Sequence, residues 1–511
     1  MPVTAYVRSV SGPSPEVIQP APTATVARLS GLLGRARRML WHGPLIWLAP
    51  AALTLVVTLF QLNRAQLWRD ELATWSAASR SLPDLLRMIA SIDGVSGPYY
   101  LFMRAWTAVV GDSVLALRLP AALAMTAAAG FAAVLGRRLL GSPEGLIAGL
   151  LFAILPSTSR YGQEARPYAF ATLFAVLATL LLVRALDRPT WPRWLGYAAA
   201  VAGLGLSHLV AVILVAGHGA AVLLTGRGGR RGWRWLAAVA VAGVVLAPLA
   251  VLGRSQHARQ LDWVDQPNLW NLPGLPGSVL QSGPVGGLLV GLAAVGMASR
   301  GRWAVALGLS VLLPTALLFL AALVIPLWVP RYLVFTVPFG CLLAAATLAM
   351  LRLPWALVIV ALATVLGAPA QGELRRTHEW PRTRPIDYAA AARIIGENQR
   401  PGDGIVYAPR DGWKLLDIAT AYHLRDGRPR DLLAERDQAE RGDLWVTECP
   451  QPARCLAPAD RLWLLVSGER DAPLRAVPEP TATPLRDQFR VDRVWQVPGL
   501  TVALLTRTTR P

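Results

Sequence analysis

Three short clusters of charged residues sit at the ends of apolar stretches: Trp68-Arg69-Asp70-Glu71, the run from Arg160 to Tyr168 (Arg-Tyr-Gly-Gln-Glu-Ala-Arg-Pro-Tyr), and Pro330-Arg331-Tyr332. Adjacent carboxylates such as Asp70 and Glu71 can ligate a metal, act as a general base, or simply be solvated. In the second cluster both signs of charge are packed into a very short connection, which holds Glu164 and Arg166 close to the neighbouring elements. Ionisable groups in such places are functional candidates, although a Glu–Arg pair can also merely tie two helix ends together. Arg331 alone reads as a side chain snorkelling to headgroups. Taken together the clusters describe a chemistry. Guanidinium forks match phosphate oxygens bidentately, and a carboxylate within hydrogen-bond reach can take a proton from a hydroxyl. A membrane cavity with these parts suits transfer from a lipid phosphate donor to a hydroxyl acceptor.

The elements that must position these groups are transmembrane helices. Of the 511 residues 54% are apolar and 16% charged, against about 45–50% and about 25% in soluble domains. Apolar runs recur at Leu45–Phe60, Val114–Leu135, Gly145–Ser159, Tyr168–Val183, Leu195–Leu206, Leu209–Leu224, Leu236–Leu252, Val279–Ala298, Val305–Ile325, Leu333–Met350 and Trp355–Ala370. Many approach the ~20 residues that cross a ~30 Å hydrocarbon core. The expected architecture is an α-helical polytopic membrane protein of about eleven spans, with Gly145–Ser159 and Leu195–Leu206 short for the task.

Arginine gives the orientation. Alternate junctions carry Arg137 and Arg138; Arg184, Arg188 and Arg193; Arg227, Arg230, Arg231 and Arg234; Arg300 and Arg302; and Arg352, while the N-terminal arm adds Arg28, Arg35, Arg37 and Arg38. Basic loops face the cytoplasm, so the three charged clusters and the C-terminal region are expected outside a bacterial plasma membrane. The net charge of +19 then reflects loops facing anionic headgroups, and its dispersal argues against nucleic-acid binding. Residues 1–40 read as a disordered basic cytoplasmic arm, 41–370 as the membrane domain with its first outer loop at 61–113, and 371–511 as a small extracytoplasmic α/β domain. In that last part Asp387–Asn398 and Trp413–Leu424 read as helices, and Ile405–Tyr407, Leu444–Val446, Leu462–Val466 and Leu500–Leu505 as strands. Cys449 and Cys455 are a candidate disulfide in an oxidising compartment. Cys341 lies within a span.

The first outer loop and the spans after it resemble a known family. Arg69-Asp70-Glu71-Leu72-Ala73-Thr74-Trp75, the stretch Asp93-Gly94-Val95-Ser96-Gly97-Pro98-Tyr99-Tyr100, the run from Gly111 to Pro120 and Ser159–Tyr168 are similar to the protein O-mannosyltransferase and aminoarabinose-transferase superfamily of GT-C fold, and more closely to mannosyltransferases of actinobacteria. Arg331-Tyr332 is a weaker match. The resemblance implies an inverting glycosyltransferase that moves a sugar, mannose first among candidates, from a polyprenyl-phosphate donor to a glycan, lipoglycan or protein hydroxyl. It implies Asp70 as general base, Glu71 orienting the acceptor or Asp70, and Arg166 and Arg331 on the departing phosphate, with Arg118 a further phosphate candidate or a helix-end anchor. Glu164 would hold Arg166, with Gln163, Tyr168, Asp93, Tyr99, His208 and Tyr332 in support. Relatives often carry a histidine where this chain has Ser96. No cofactor is expected. Asp70 and Glu71 are hard oxygen donors suited to Mg²⁺ or Mn²⁺, but the family is generally metal-independent. No nucleotide-sugar motif is visible, which suits a lipid-linked donor. The alternatives are a transporter or flippase of lipid-linked glycan, against which the absence of a clear internal repeat speaks, and a non-catalytic scaffold that binds glycan.

Overall fold

The computed structural model describes residues 43–225, 229–299, 301–410 and 412–508. The arm expected at 1–40, Arg227 and Arg300 lie outside these residues.

The apolar runs all fold as helices. The first, α1 (Leu45–Leu59), leads into a connecting segment that is itself helical, with α2 (Arg69–Ala78), α3 (Leu82–Ser91), a 3₁₀ turn at Gly94–Ser96 and α4 (Gly97–Val110). There follow α5 (Val114–Leu139), α6 (Ser142–Ile154), α7 (Pro156–Gly162), α8 (Tyr168–Asp187), α9 (Trp191–Ser207), α10 (Leu214–Leu224) and α11 (Arg230–Gln260). The bundle is completed by α12 (Leu275–Leu280), α13 (Gly283–Ser299), α14 (Gly301–Ala322), a 3₁₀ segment Pro330–Thr336, α15 (Val337–Leu348) and α16 (Leu353–Leu374). Six helices of the described residues are long and apolar enough to cross a membrane, and Leu45–Leu59, Ser142–Ile154, Leu209–Leu224 and Gly283–Ala298 are shorter apolar helices. The spans of α11 and α16 are only 22% buried, an apolar exterior that a bilayer tolerates and water does not.

Local chemistry sets the boundaries. Ser113 caps α5 by accepting from the N–H of Ala116 at 3.2 Å, which satisfies one of the orphan donors of the first turn. The run read as one short span at Gly145–Ser159 is two helices, because Pro156 forces Leu155 into an extended conformation and ends α6 at Ile154. The apolar run within α11 ends at Leu252, yet the helix continues to Gln260. Small residues let α5 and α6 approach closely: a Cβ on Gly145 would lie 2.5 Å from the carbonyl oxygen of Ala133.

The C-terminal region holds α17 (Tyr388–Asn398), α18 (Leu416–Leu424) and a five-stranded sheet. In chain order the strands are β1 (Gly404–Ala408), β2 (Arg430–Asp431), β3 (Ala434–Arg436), β4 (Thr447–Glu448), β5 (Arg461–Ser467), β6 (Phe489–Val497) and β7 (Leu500–Arg507). The sheet order is β2-β1-β5-β7-β6, with β1 parallel to β2 and β5, and β7 antiparallel to β5 and β6. Strands β3 and β4 form a separate antiparallel ribbon. Two expectations change. Leu444–Val446 is a bend rather than a strand, and α18 begins at Leu416 rather than Trp413. Strand β6 escaped the sequence because Arg490, Asp492 and Arg493 are exposed on an edge, where charge is what keeps a strand from pairing further. Cys449 and Cys455 are joined by a disulfide with their Cα atoms 6.6 Å apart.

This region does not stand apart from the rest. Ile395, Ile405, Tyr407 and Trp463 share one apolar core with Leu67, Leu72, Leu85 and Tyr100 of the connecting segment. The α/β layer is therefore built onto α2–α4.

Candidate active site

Asp70 lies in the first turn of α2, whose position is fixed from below by Glu71. The Glu71 carboxylate is fully buried. Arg118 of α5 donates to it from Nε at 2.8 Å and from Nη2 at 2.6 Å, and the Ala165 N–H adds a third bond at 2.9 Å. Burial opposes ionisation of Glu71, but the Arg118 fork outweighs it and, with His378, holds the carboxyl well below the usual carboxylate range. Arg118 spends its remaining donors on the carbonyls of Leu62, Ala65 and Gln66 at 2.7, 2.8 and 3.0 Å. One buried ion pair thus locks the chain after α1, the start of α2, and the 163–167 connection onto α5.

From that base Asp70 reaches an open cavity of about 380 Å³ together with Asp93, Arg166, Tyr168, Gln260, Trp263, Arg331, Tyr332, Trp380 and Trp413. Arg331 approaches the Asp70 carboxylate at 3.4 Å and donates from Nε to the Tyr168 hydroxyl at 3.0 Å. Its guanidinium lies 5.8 and 5.2 Å from the ring centroids of Trp68 and Trp263, within cation–π range of both. Arg166 donates to the Tyr100 hydroxyl at 3.0 Å, and Tyr100 in turn donates to Asp93. Asp93 also accepts from Ser96 at 2.9 Å and from Gln260 at 2.6 Å. Burial raises the Asp93 carboxyl, against the pull of Arg166 and these hydrogen bonds. Among the described residues, the buried Arg166 Nε is one of several side-chain atoms without a hydrogen-bond partner, and Asp70 Oδ2 has only the 3.4 Å approach of Arg331. Both residues line the cavity.

A second, more apolar recess of about 290 Å³ adjoins the first and shares Arg166, Tyr168, Gln260 and Tyr332 with it. Its walls include Val95, His208, Leu209, Ala250, Leu261, Ile325 and Leu327. His208 sits 4.7 Å from the ring of Tyr332 and 5.5 Å from that of Tyr168. The arrangement offers carboxylates (Asp70, Asp93, Asp265) and guanidinium groups (Arg69, Arg166, Arg331) at one end and an apolar trough at the other.

Comparison with known proteins bears on the fold. Residues 98–252 match the family model described as dolichyl-phosphate-mannose-protein mannosyltransferase. ArnT from Cupriavidus metallidurans, solved with undecaprenyl phosphate bound, superposes with a TM-score of 0.60 at 15% identity, covering 89% of this chain and 97% of that one. The chain has the GT-C fold. The arabinofuranosyltransferase AftD from Mycobacteria shares it, with a TM-score of 0.51, 16% identity, and coverage of 90% of this chain and 41% of that chain. No curated protein gives a significant sequence match.

Within this GT-C chain four sequence assignments need correction. Arg118 is wholly buried with its donors committed to Glu71 and to carbonyls, so it is not a phosphate ligand; it is the helix-end anchor, tying the start of α5 to the loop after α1. Glu71 does not line the cavity, since its oxygens face Arg118 and Ala165; it positions Asp70 and has no opening toward an acceptor. Glu164 does not hold Arg166. Its carboxylate pairs with Arg160 at 3.0 Å, and its only bond to Arg166 runs from the Arg166 N–H to the Glu164 carbonyl at 2.8 Å. The Arg166 side chain is held by Tyr100 and Asp93 instead. Tyr99 packs on Phe102 and Phe170, away from the cavity, and its neighbour Tyr100 makes the polar contacts. Gln163 ties α7 to the end of α1 through the carbonyls of Thr58 and Phe60 at 2.9 and 2.8 Å.

Several site residues were missed. Gln260, Trp263, Trp380 and Trp413 come from isolated positions in loops or past the end of the apolar run in α11, where no periodicity marks them. His378 and Glu379 follow α16. His378 Nδ1 lies 3.7 Å from Glu71, and its carbonyl accepts from Arg160 at 3.0 Å. Burial lowers the His378 imidazole to about 3, with Arg160 and Arg118 assisting, so it sits neutral against the Glu71–Arg118 pair. Burial raises Glu164 and Glu379 to about 7 each, against the attraction of Arg160 and Arg69 respectively.

Proposed function

We propose that this protein is an inverting membrane glycosyltransferase that moves a sugar from a polyprenyl-phosphate donor to a hydroxyl acceptor at the outer face of a bacterial plasma membrane. The observation that carries the reading is the meeting of Asp70, Arg166 and Arg331 in one cavity that opens into an apolar recess. The recess suits the first isoprene units of a lipid donor, and the undecaprenyl phosphate held by ArnT supports that choice. The family description supports mannose as the sugar. The arginine distribution supports the outward face.

The donor phosphate competes with Asp70 for Arg331. On donor binding the guanidinium turns to phosphate oxygens, and Asp70 is released to face the acceptor hydroxyl. The acceptor oxygen attacks the anomeric carbon from the face opposite the phosphate. As the new C–O bond forms, the bond from that carbon to the phosphate oxygen breaks, its electron pair leaves with polyprenyl phosphate, and Asp70 takes the hydroxyl proton. Arg166 and Arg331 stabilise the charge that grows on the departing oxygens, as preorganised donors do at a developing anion. The two guanidinium groups supply the compensation a divalent cation would otherwise give, so the reaction is expected to survive chelation with EDTA.

The test is transfer from labelled polyprenyl-phosphate sugars in membranes holding equal amounts of wild type and Asp70→Asn. A positioned base contributes about 10²–10⁴-fold, and a loss in that range is expected. Equal rates in the two would remove Asp70 from the mechanism. No turnover by the wild type with any donor and any acceptor would sink the transferase reading.

A further inference from the structure

The cavity at Asp70 does not end at its own walls. It shares Trp413 with a neighbouring recess of about 340 Å³ lined by Arg259, Asp262, Trp445 and Glu448. That recess shares Val446 with a polar cleft of about 1020 Å³ that runs between α2–α3 and the C-terminal sheet, past Trp75, Tyr407 and Gln438. The three spaces lie in series from Asp70 across the C-terminal region, each adjacent pair sharing a wall residue, an arrangement that suggests one track. Ligand sites for a single drug-sized molecule span about 300–1,000 Å³, so recess and cleft together hold far more than one sugar.

The walls define what fits. Trp413 and Trp445 meet edge to face with centroids 4.8 Å apart, and both are half-buried. Each indole therefore keeps open surface. The charged residues around them are paired: Arg259 with Asp443 at 2.7 Å, and Arg410 with Asp431 at 2.7 Å, Glu448 at 2.8 Å and Asp417 at 3.3 Å. Arg425, further along, pairs with Asp112 at 2.6 Å and covers the ring of Trp75 at 5.2 Å. Such walls offer many hydrogen-bond donors and acceptors, apolar ring faces, and little net field. A polyanion would find no excess of cations, and an aliphatic chain would strand the polar groups unpaired. A chain of sugar rings has apolar C–H faces for the indoles and hydroxyl rims for the paired charges.

Resting on the transferase reading, we propose that this track binds the acceptor, and that the acceptor is a neutral, linear glycan several residues long whose terminal hydroxyl is presented to Asp70. Trp413 and Trp445 are the platforms that hold the sugars nearest the reacting end.

The experiment uses the full-length protein in lipid nanodiscs and reads binding separately from catalysis, by calorimetry without donor. The probes are linear mannose, arabinose and galactose oligosaccharides of two and six residues, and a ten-residue Ser/Thr peptide. One hexasaccharide is expected to bind about tenfold tighter than its disaccharide. Trp445→Ala is expected to weaken hexasaccharide binding about tenfold while leaving the thermal midpoint unchanged. Trp445→Phe, which keeps a ring face, is expected to retain most of the gain. Equal affinity for both lengths, no effect of Trp445→Ala, binding of the peptide in place of every glycan, or binding of none of the probes would each overturn the proposal. The same preparation is assayed for donor cleavage. Cleavage that depends on Asp70, with no glycan bound, leaves the transferase intact and removes only the track. Glycan binding without donor cleavage under any condition removes the transferase reading on which the acceptor role depends.

Discussion

Asp70 and Glu71 are adjacent in sequence and opposite in circumstance. The Asp70 side chain keeps 19% of its surface exposed at the cavity, while Glu71 keeps none. The same contrast separates Arg331 from Arg118, and it gives an experiment that tells site from scaffold. Arg331→Met is expected to lower the transfer rate by about 10²–10³-fold, the usual loss when one donor to a developing anion is removed, with little change in thermal midpoint. Arg118→Met strands a buried carboxylate, which costs about 3–5 kcal/mol, and is expected to lower the midpoint sharply while the folded fraction keeps its donor KM. A raised donor KM in a stable Arg118→Met protein would restore Arg118 as a phosphate ligand. Sequence could name these residues but not sort them. Arg118 and Arg331 each stand at an end of an apolar run, and the partner that decides the matter for Arg118 lies 47 residues upstream. Tyr99 and Tyr100 posed the same difficulty, because a one-residue rotation on α4 decides which hydroxyl meets Arg166.

At the scale of elements, α11 is the helix whose length matters. Its apolar run ends near Leu252, but the helix continues and carries two glutamines to the 3₁₀ turn after α3. Gln256 accepts from the Gly94 N–H at 2.7 Å and donates to the Ile89 carbonyl at 2.9 Å, and Gln260 donates to Asp93. Asp93 itself is held at φ 53°. The fit is tight, for a Cβ on Gly94 would lie 2.5 Å from Leu252 and 2.7 Å from the Ile89 carbonyl. Gly94→Ala should therefore push the turn off α11, with a stability loss of about 1–3 kcal/mol from overpacking. The displacement passes through Asp93 and Tyr100 to Arg166. A fall in transfer rate is the expected outcome, read beside the thermal midpoint, and an unchanged rate would show that the Asp93–Tyr100 bridge does not set the position of Arg166. The membrane helices were legible because a run of roughly twenty apolar residues suits a bilayer and little else. The extension of α11 was not, because Arg254, Gln256, His257, Arg259 and Gln260 read as a polar loop.

At the scale of the whole molecule the C-terminal region is part of the site. Trp380 and Trp413 line the cavity, His378 touches Glu71, and the core around Trp463 continues into Leu72 and Tyr100. Deleting Glu373–Pro511 is thus expected to abolish donor cleavage together with transfer. Retained cleavage in the truncated protein would contradict the shared core. Stability should also carry a distinctive dependence on pH. Glu164 and Glu379 have folded values raised to about 7, so between about 4.3, the usual glutamate value, and about 7 the native state holds protons that the unfolded chain has lost. Stability from these two groups is full at the acid end of that window and declines as pH rises through it. Glu71, depressed by Arg118, acts in the opposite sense, with stability present above the usual carboxylate range and lost on strong acidification. Thermal midpoints across pH 4.5 to 7.5 should fall less steeply in Glu164→Gln than in the wild type, and identical slopes would count against a protonated Glu164.

The buried Glu71–Arg118 pair and the cavity above it also set a schedule. A ribosome adding about 5–20 residues per second delivers Arg118 within seconds of Glu71, so the platform under Asp70 closes almost at once. Arg331 emerges roughly 260 residues after Asp70, a delay of roughly 15–50 s at the same pace, and Trp380 and Trp413 come later still. Through that interval the nascent chain holds Asp70 and Arg166 without Arg331, a further guanidinium of the cavity. Under the proposed transferase reading, a partly made chain of this design would not consume its donors until Arg331 and the tryptophans of the cavity had arrived.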